Sequence, residues 1–146
     1  MLRQLLILCI PVLFSTCLSA CSSQANSPSE QICFADGCIY IEIVQTPEER
    51  RKGLQARKYL SKGNGMLFIF SESKKYSFWM KDTFIPLDII WIDRNKRIVT
   101  IMSDVLPCEI EQCAVYAPDN DALYVLEVNA GVAIELGLKG GDQAVF

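Results

Sequence analysis

Histidine is absent from this chain of 146 residues. Its absence removes the usual general base of Ser-His and Cys-His catalysis and the commonest metal ligand, so any chemistry must run on carboxylates, lysine, tyrosine or thiols. Charge of a single sign is also missing as a block. The 14 Lys and Arg stand against 17 Asp and Glu, giving a net charge of -3, with acids and bases interspersed. No basic stripe is available to neutralise phosphates, which argues against a nucleic-acid partner. What is present is core material: 51% of residues are hydrophobic and 10% aromatic, in a length that suits one compact domain.

The N-terminus, MLRQLLILCIPVLFSTCLSAC, sets one basic residue, Arg3, before an apolar run from Leu5 to Phe14 and then small residues. That is the build of a secretory signal peptide over residues 1–20; the run is too short and too weakly flanked for a spanning helix. Leu18-Ser19-Ala20-Cys21 resembles the lipobox of bacterial lipoproteins, in which the Cys is acylated and becomes the first mature residue. The resemblance implies lipidation at Cys21, with the membrane as a partner through the N-terminal lipid. Several acyl chains on one residue give a stable anchor where one would be marginal. Ser22, second in the mature chain, resembles outer-membrane sorting in two-membrane bacteria. The expected location is therefore the cell envelope, lipid-anchored, with the outer membrane facing the periplasm favoured. Residues 21–31 read as the lipidated terminus and a polar, flexible tether, and residues 32–146 as the domain.

Compartment makes the seven cysteines interpretable. Cys9 and Cys17 leave with the leader and Cys21 carries lipid, so Cys33, Cys38, Cys108 and Cys113 remain, an even number in an oxidising setting that favours disulfides. Three pairings are formally open. Two local bridges are favoured, because in CFADGC the residues Phe34 to Gly37 can form a hairpin loop with Asp-Gly in the turn, bringing Cys33 opposite Cys38. A four-thiolate zinc site is the rival, since the C-x4-C spacing is permitted for ligands; the compartment weighs against it. The C-x-x-C spacing of a thioredoxin-like site is absent. No metal or cofactor is expected.

Most of the domain reads as strands. Residues 38–44 alternate weakly, and Thr46-Pro47-Glu48-Glu49 supplies an N-cap, a proline at the first helical position and an acid at the third, so a short helix runs through Arg50, Arg51 and Lys52 and stops near Gly53. Short strands follow over 66–70, 76–80, 87–92, 97–102 and 122–128, with 93–96 as a hairpin turn. Asn129 caps a second short helix through Ala133 and Glu135, and Gly140-Gly141-Asp142 leads to a closing strand. The expected fold is mainly β, a compact β-sandwich or barrel with two short helices.

The stretch FWMKDTFIPLDIIWID, residues 78–93, carries the functional question. Alternation places Leu87, Ile89 and Trp91 on one face and Asp88, Ile90 and Ile92 on the other, so Asp88 shares an apolar face. Glu127 has the same predicament beside Leu123 and Val125. A charge there is costly unless paired, wet or in a pocket. Lys81, Arg50, Arg51 and Arg57 are the available cations, and the expectation is that Asp88 and Glu127 lie close on adjoining strands with Arg57 or Lys81 in reach. Asp82-Thr83 also reads as a turn held by local hydrogen bonds. Trp79 and Trp91 read as core.

The succession ERRKGLQAR (49–57), GMLFIF (65–70), FWMKDTFIPLDIIWID (78–93), PC (107–108), YVLEVNAG (124–131) and GD (141–142) resembles the family known as domain of unknown function 192. The resemblance covers about residues 38–146 and implies a small β-rich domain, often exported, without an established activity. Matching positions are Gly53, Arg57, Met80, Thr83, Pro86, Asp88, Glu127, Asn129, Gly131 and Asp142; Asp82 and Gln55 stand where the family often has Asn and Met. The candidate polar site is thus Asp88, Glu127, Arg57, Lys81, Asp82, Thr83 and Asn129. Two functions of different classes stand open. One is a tethered binding or accessory domain for a small polar or glycan ligand. The other is a carboxylate-dependent hydrolase using Asp88 and Glu127, or a hard-cation site on the same oxygens. A purely structural envelope protein is the third possibility. No nucleophile-base pair is recognisable, so whether the chain is an enzyme is left open.

Overall fold

The structure, a computed structural model, describes residues 30–146. The leader, Cys21 and most of the tether lie outside the described residues.

Strand β1 (Gln31–Phe34) and strand β2 (Gly37–Val44) form a hairpin around Ala35-Asp36. The pairing sets Cys33 opposite Cys38, and the two are joined as a disulfide. Helix α1 (Pro47–Lys52) begins as its sequence demands. Thr46 Oγ1 accepts the Glu49 amide at 3.2 Å while the Glu49 carboxylate accepts the Thr46 amide at 3.0 Å, a complete capping box with proline at the first position. It ends at Gly53, whose φ of +45° puts the backbone where a side chain is strained.

The remaining strands are β3 (Asn64–Lys74), β4 (Phe78–Trp79), β5 (Leu87–Ile92), β6 (Ile98–Val105), β7 (Val115–Tyr116) and β8 (Ala122–Asn129), followed by helix α2 (Val132–Glu135). Six of the eight strands in the described residues make one sheet in the order β1-β2-β3-β8-β5-β6, and β4 pairs with β7 in a separate ribbon. Within this sheet, among the described residues, only β2 and β3 run parallel. A parallel pair needs a crossover, and residues 45–63, containing α1, supply it.

The expectation of a mainly β domain with two short helices therefore holds, while its closed or two-layered form is refined. The main sheet does not close as a barrel, since β1 and β6 do not pair, and the β4-β7 ribbon is too short to be the second layer of a sandwich. The open edges are covered by the C-terminal segment. Val145 and Cys33 exchange backbone hydrogen bonds of 2.9 Å at the β1 edge. At the other edge the Ala144 amide donates to Lys96 O at 2.8 Å and the Ile98 amide to Asp142 O at 3.0 Å. One segment thus blunts both edges, where unpaired backbone would invite association.

Both faces of the sheet are buried, so every residue of β5 is hidden from water. One face packs Met66, Phe68, Leu87, Ile89, Trp91 and Val125 under α1 and the β4-β7 ribbon. The other packs Leu67, Ile90, Ile92, Leu126 and Val128 with Ala133 and Ala144. Continuous apolar runs such as LDIIWI are what a strand covered on both sides requires.

Two expectations about α2 and Trp79 need correction. Asn129 does not cap α2. Its Nδ2 donates to Leu60 O at 2.9 Å, pinning the crossover to β8, and Gly131, at φ +90°, stands at the helix start without a side-chain cap. Trp91 is core, but Trp79 is 52% exposed, because the two-residue strand β4 has no layer above it.

Candidate functional site

Asp88 and Glu127 are on adjoining strands, as the sequence suggests, yet they do not form a pair. In the β5-β8 ladder Asp88 stands opposite Val128, and Glu127 opposite Ile89. Directly opposed residues share a face, so the two carboxyl groups project to opposite sides of the sheet. A shift of one residue in register would have brought them together.

Asp88 is fully buried and fully engaged. Its Oδ1 accepts the Asp104 amide at 2.9 Å, and its Oδ2 accepts the Ala133 amide at 2.8 Å. Both donors need a partner. The β5-β6 pairing slips between Leu87 and Ile89, leaving Asp104 at φ +52° in a bulge whose amide has left the ladder. Ala133 belongs to the first turn of α2, where amides have no acceptor within the helix. Asp88 therefore supplies the cap expected of Asn129 and ties β5, β6 and α2 together.

The expected cations are also placed elsewhere. Arg57 makes a two-pronged pair with Glu42, at 2.6 and 2.5 Å, which holds the Glu42 carboxyl below its ordinary range. Lys81 Nζ donates to Ile110 O at 3.1 Å and lies 4.0 Å from Asp82. Asp82 itself is a turn residue. Its φ is +54°, its amide donates to Cys108 O and its carbonyl accepts the Ala56 amide. Asn and Asp are the non-glycine residues that best tolerate that backbone, so Asp82 suits the turn.

Glu127 is different. It lies on the central strand β8 between Met66 of β3 and Ile89 of β5, on the face covered by α1, and only 5% of it is exposed. No hydrogen-bond donor or cation reaches its carboxyl group among the described residues, and burial alone pushes its pKa up to about 8. At neutral pH it is thus a carboxylic acid, able to donate as well as accept.

That carboxyl closes the floor of a pocket of about 40 Å³. Thr83, a buried hydroxyl residue, lines it beside Glu127; Phe68, Phe78 and Trp79 form the aromatic wall, and Arg50, Arg51 and Lys52 the rim. The same aromatics and both arginines border a wider groove of about 240 Å³, which continues to Phe70 and Tyr76. Gly53 makes the close fit possible, since a Cβ there would come within 3.1 Å of the Phe68 ring. The aromatic wall is itself ordered. Phe78 meets Phe68 edge-on with centroids 4.9 Å apart, and Phe70 stacks on Tyr76 at 3.5 Å.

The ribbon that carries Phe78 and Trp79 is held from outside by the second disulfide loop. Trp79 pairs with Val115 and Phe78 with Tyr116, while Cys108, bonded to Cys113, exchanges backbone hydrogen bonds with Met80 and Asp82. Both local disulfides expected from the sequence are present. No three Cys, Asp or Glu side chains converge as a metal-ligand set among the described residues.

The sequence profile of the DUF192 family, described as "Uncharacterized ACR", matches residues 31–146. The chain belongs to the DUF192 family. Among solved structures, this DUF192 chain is similar to a protein of unknown function from Novosphingobium aromaticivorans, at 31% identity and TM-score 0.72 over 80% of this chain and 82% of that one. It is also similar to a Sinorhizobium meliloti protein described as a "putative transcription regulator", at 32% identity and TM-score 0.71 over 79% of this chain and 89% of that one. No curated protein matches it. The family positions now sort by task. Gly53, Thr83 and Glu127 line the pocket, whereas Asp88, Asn129, Gly131 and Asp142 fix the course of the chain. Sequence reasoning named Glu127 and Thr83, offered Arg51 only as an available cation, and passed over Phe78 and Trp79 as pocket residues. The short, turn-flanked strand 78–79 was the available signal, because an aromatic pair on a two-residue strand has little above it to bury it.

Proposed function

We propose that this DUF192 domain is a lipid-anchored binding module of the cell envelope, attached through Cys21, that takes a small polar or sugar-like ligand in the groove above Glu127. The observation that supports it most is the unpartnered acid at the pocket floor. A carboxyl group largely withdrawn from water and offered no protein donor or cation costs stability, and such a cost persists where a ligand's polar atoms complete the set. An aromatic wall beside a few convergent polar groups is the usual build of a small-molecule site. A sugar fits both halves, with its C–H face against Phe78 and Trp79 and a hydroxyl at the Glu127 carboxyl and Thr83.

Hydrolysis by Asp88 and Glu127 is not proposed. Glycoside cleavage needs two carboxyl groups about 5 to 9.5 Å apart flanking one bond, and the sheet stands between these two. The regulator description of the Sinorhizobium protein is not carried over either, given the acidic balance of this chain.

Ligand-observed NMR of the full chain in detergent, against a panel of monosaccharides, tests the site. Saturation transfer that is lost in Trp79→Ala and in Glu127→Gln supports it; transfer unaffected by both variants overturns it. Intact mass analysis tests the anchor separately: the wild type should gain acyl mass at Cys21 and Cys21→Ser should not.

A further inference from the structure

We infer that the ligand of this groove is an anionic monosaccharide unit and that Arg51 reads its charge. The inference rests on the sugar-site reading above and adds to it the sign of the ligand. Three consecutive cations, Arg50, Arg51 and Lys52, line the pocket, and the only acid in the lining is Glu127. Since burial keeps Glu127 protonated at neutral pH, the lining is positive in a chain whose net charge is -3.

The three cations are not equivalent. Arg50 is already committed: its Nη1 donates to Ile69 O at 2.9 Å and to Gln45 O, and its guanidinium lies over the Phe70 ring at 4.9 Å. Lys52 borders the small pocket but not the wider groove. Arg51 borders both, and it makes no ion pair or side-chain hydrogen bond among the described residues. Placement in the last turn of α1 suits its charge to the helix dipole, yet that leaves its five donors unused. A planar guanidinium with a free fork is the side chain that matches a carboxylate or a phosphate in two-pronged fashion.

The dimensions agree with one sugar ring. The groove of about 240 Å³ offers aromatic surface on Phe78 and Trp79, and the pocket of about 40 Å³ admits a single hydroxyl-sized group to Glu127. An acidic substituent on the ring then lies toward α1 rather than toward the acid floor. Sugar acids and sugar phosphates share this chemistry, and a cationic amino sugar opposes it.

Isothermal titration of the full chain in detergent with glucuronate, glucose 6-phosphate, glucose and glucosamine tests the inference. Either anionic sugar should bind at least about tenfold more tightly than glucose, glucosamine least of all, with the preference shrinking as salt is raised. Arg51→Gln should reduce the anionic sugars to the level of glucose. Arg94→Gln, which removes the same charge from the β5-β6 turn, should keep the preference. Equal binding of glucose and both anions, or a preference that survives Arg51→Gln or is lost in Arg94→Gln, overturns the anion inference while leaving the sugar site standing. Binding of none of the four sugars by the wild type overturns both.

Discussion

Asp88 and Glu127 sit on neighbouring strands, opposite adjacent residues of each other's chain segment; Asp88 is wholly buried, and Glu127 is 5% exposed, reached only through its pocket. On one face the acid receives two backbone amides; on the other it receives none. The difference separates two uses of a buried carboxyl group. Asp88 resolves a problem made by the chain itself, a bulge and a helix start whose amides would otherwise be orphaned. Glu127 creates a problem that the chain leaves unresolved, and an unresolved polar group facing a pocket is a mark of a site.

The largest effect should come from breaking the satisfied side. Asp88→Ala removes the acceptor of the Asp104 and Ala133 amides, the second of them buried, and each hydrogen bond to a carboxylate is worth roughly 1.5–3 kcal/mol. A loss of about 4 kcal/mol is expected, measured by urea unfolding, with Asp88→Asn intermediate because its amide group meets an amide donor. A loss below about 1 kcal/mol in Asp88→Ala would remove the structural role.

Glu127→Gln should act in the opposite direction and depend on pH. The folded pKa of about 8 lies above the ordinary 4.5, so between those values the native state holds a proton that the unfolded chain has released. The acid's contribution is therefore intact below pH 4.5 and is lost as pH rises through 8, by about 5 kcal/mol in all and about 3 kcal/mol by pH 7. The groups facing it are Thr83, Met66 and Ile89, with Arg50, Arg51 and Lys52 at the rim. Thermal melts from pH 4 to 9 should show the variant gaining on the wild type steadily above pH 5. A constant difference across the range would mean that the carboxyl is paired or ionised at neutral pH, and the comparison with Asp88 would collapse.

Why one half of this contrast was visible in the sequence and the other was not is a matter of periodicity. Alternation along LDIIWI and ALYVLEV correctly put Asp88 with Ile90 and Glu127 with Val125, and the capping box over 46–49 correctly started α1. Alternation assigns a side chain to a face within its own strand; it says nothing about which face of the neighbouring strand aligns with it. That is decided by register, and here by the pairing of Asp88 with Val128. The cap on Ala133 was likewise hidden, because its donor and acceptor are 45 residues apart. Local bonds were legible, as in CFADGC, where the disulfide closes within one hairpin.

The two disulfides extend the comparison to the groove. Each closes a loop with a separation of five residues, and each should contribute about 2 kcal/mol through the unfolded chain. Their positions differ in consequence. Replacing Cys108 and Cys113 with Ser frees the loop that holds Met80 and Asp82 and the ribbon bearing Phe78 and Trp79, so sugar binding should weaken together with stability. Replacing Cys33 and Cys38 lowers stability by a similar amount in the β1-β2 hairpin and should leave binding unchanged. Matched melts and titrations of the two double variants check this; equal loss of binding in both would place the groove under global rather than local control.

The smallest effect is expected at the cation that looked most like a site residue in the sequence. Arg57 is paired with Glu42, but the pair is open to solvent, with side chains 35% and 51% exposed. Its two-pronged geometry is good, yet water and salt screen it, so the pair should be worth about 0.5 kcal/mol. Because Glu42 is held below its ordinary range, that contribution is present above pH 4.5 and fades as pH falls through the lowered value. A double-mutant cycle of Arg57→Ala and Glu42→Ala at pH 7, repeated at pH 3 and in high salt, should give a coupling that is small at first and then vanishes. Neither substitution should alter sugar binding, since Arg57 lines neither the pocket nor the groove. A coupling several times larger, or a loss of binding comparable to that of Arg51→Gln, would show that charge around α1 acts on the site collectively and not through the single unpaired guanidinium.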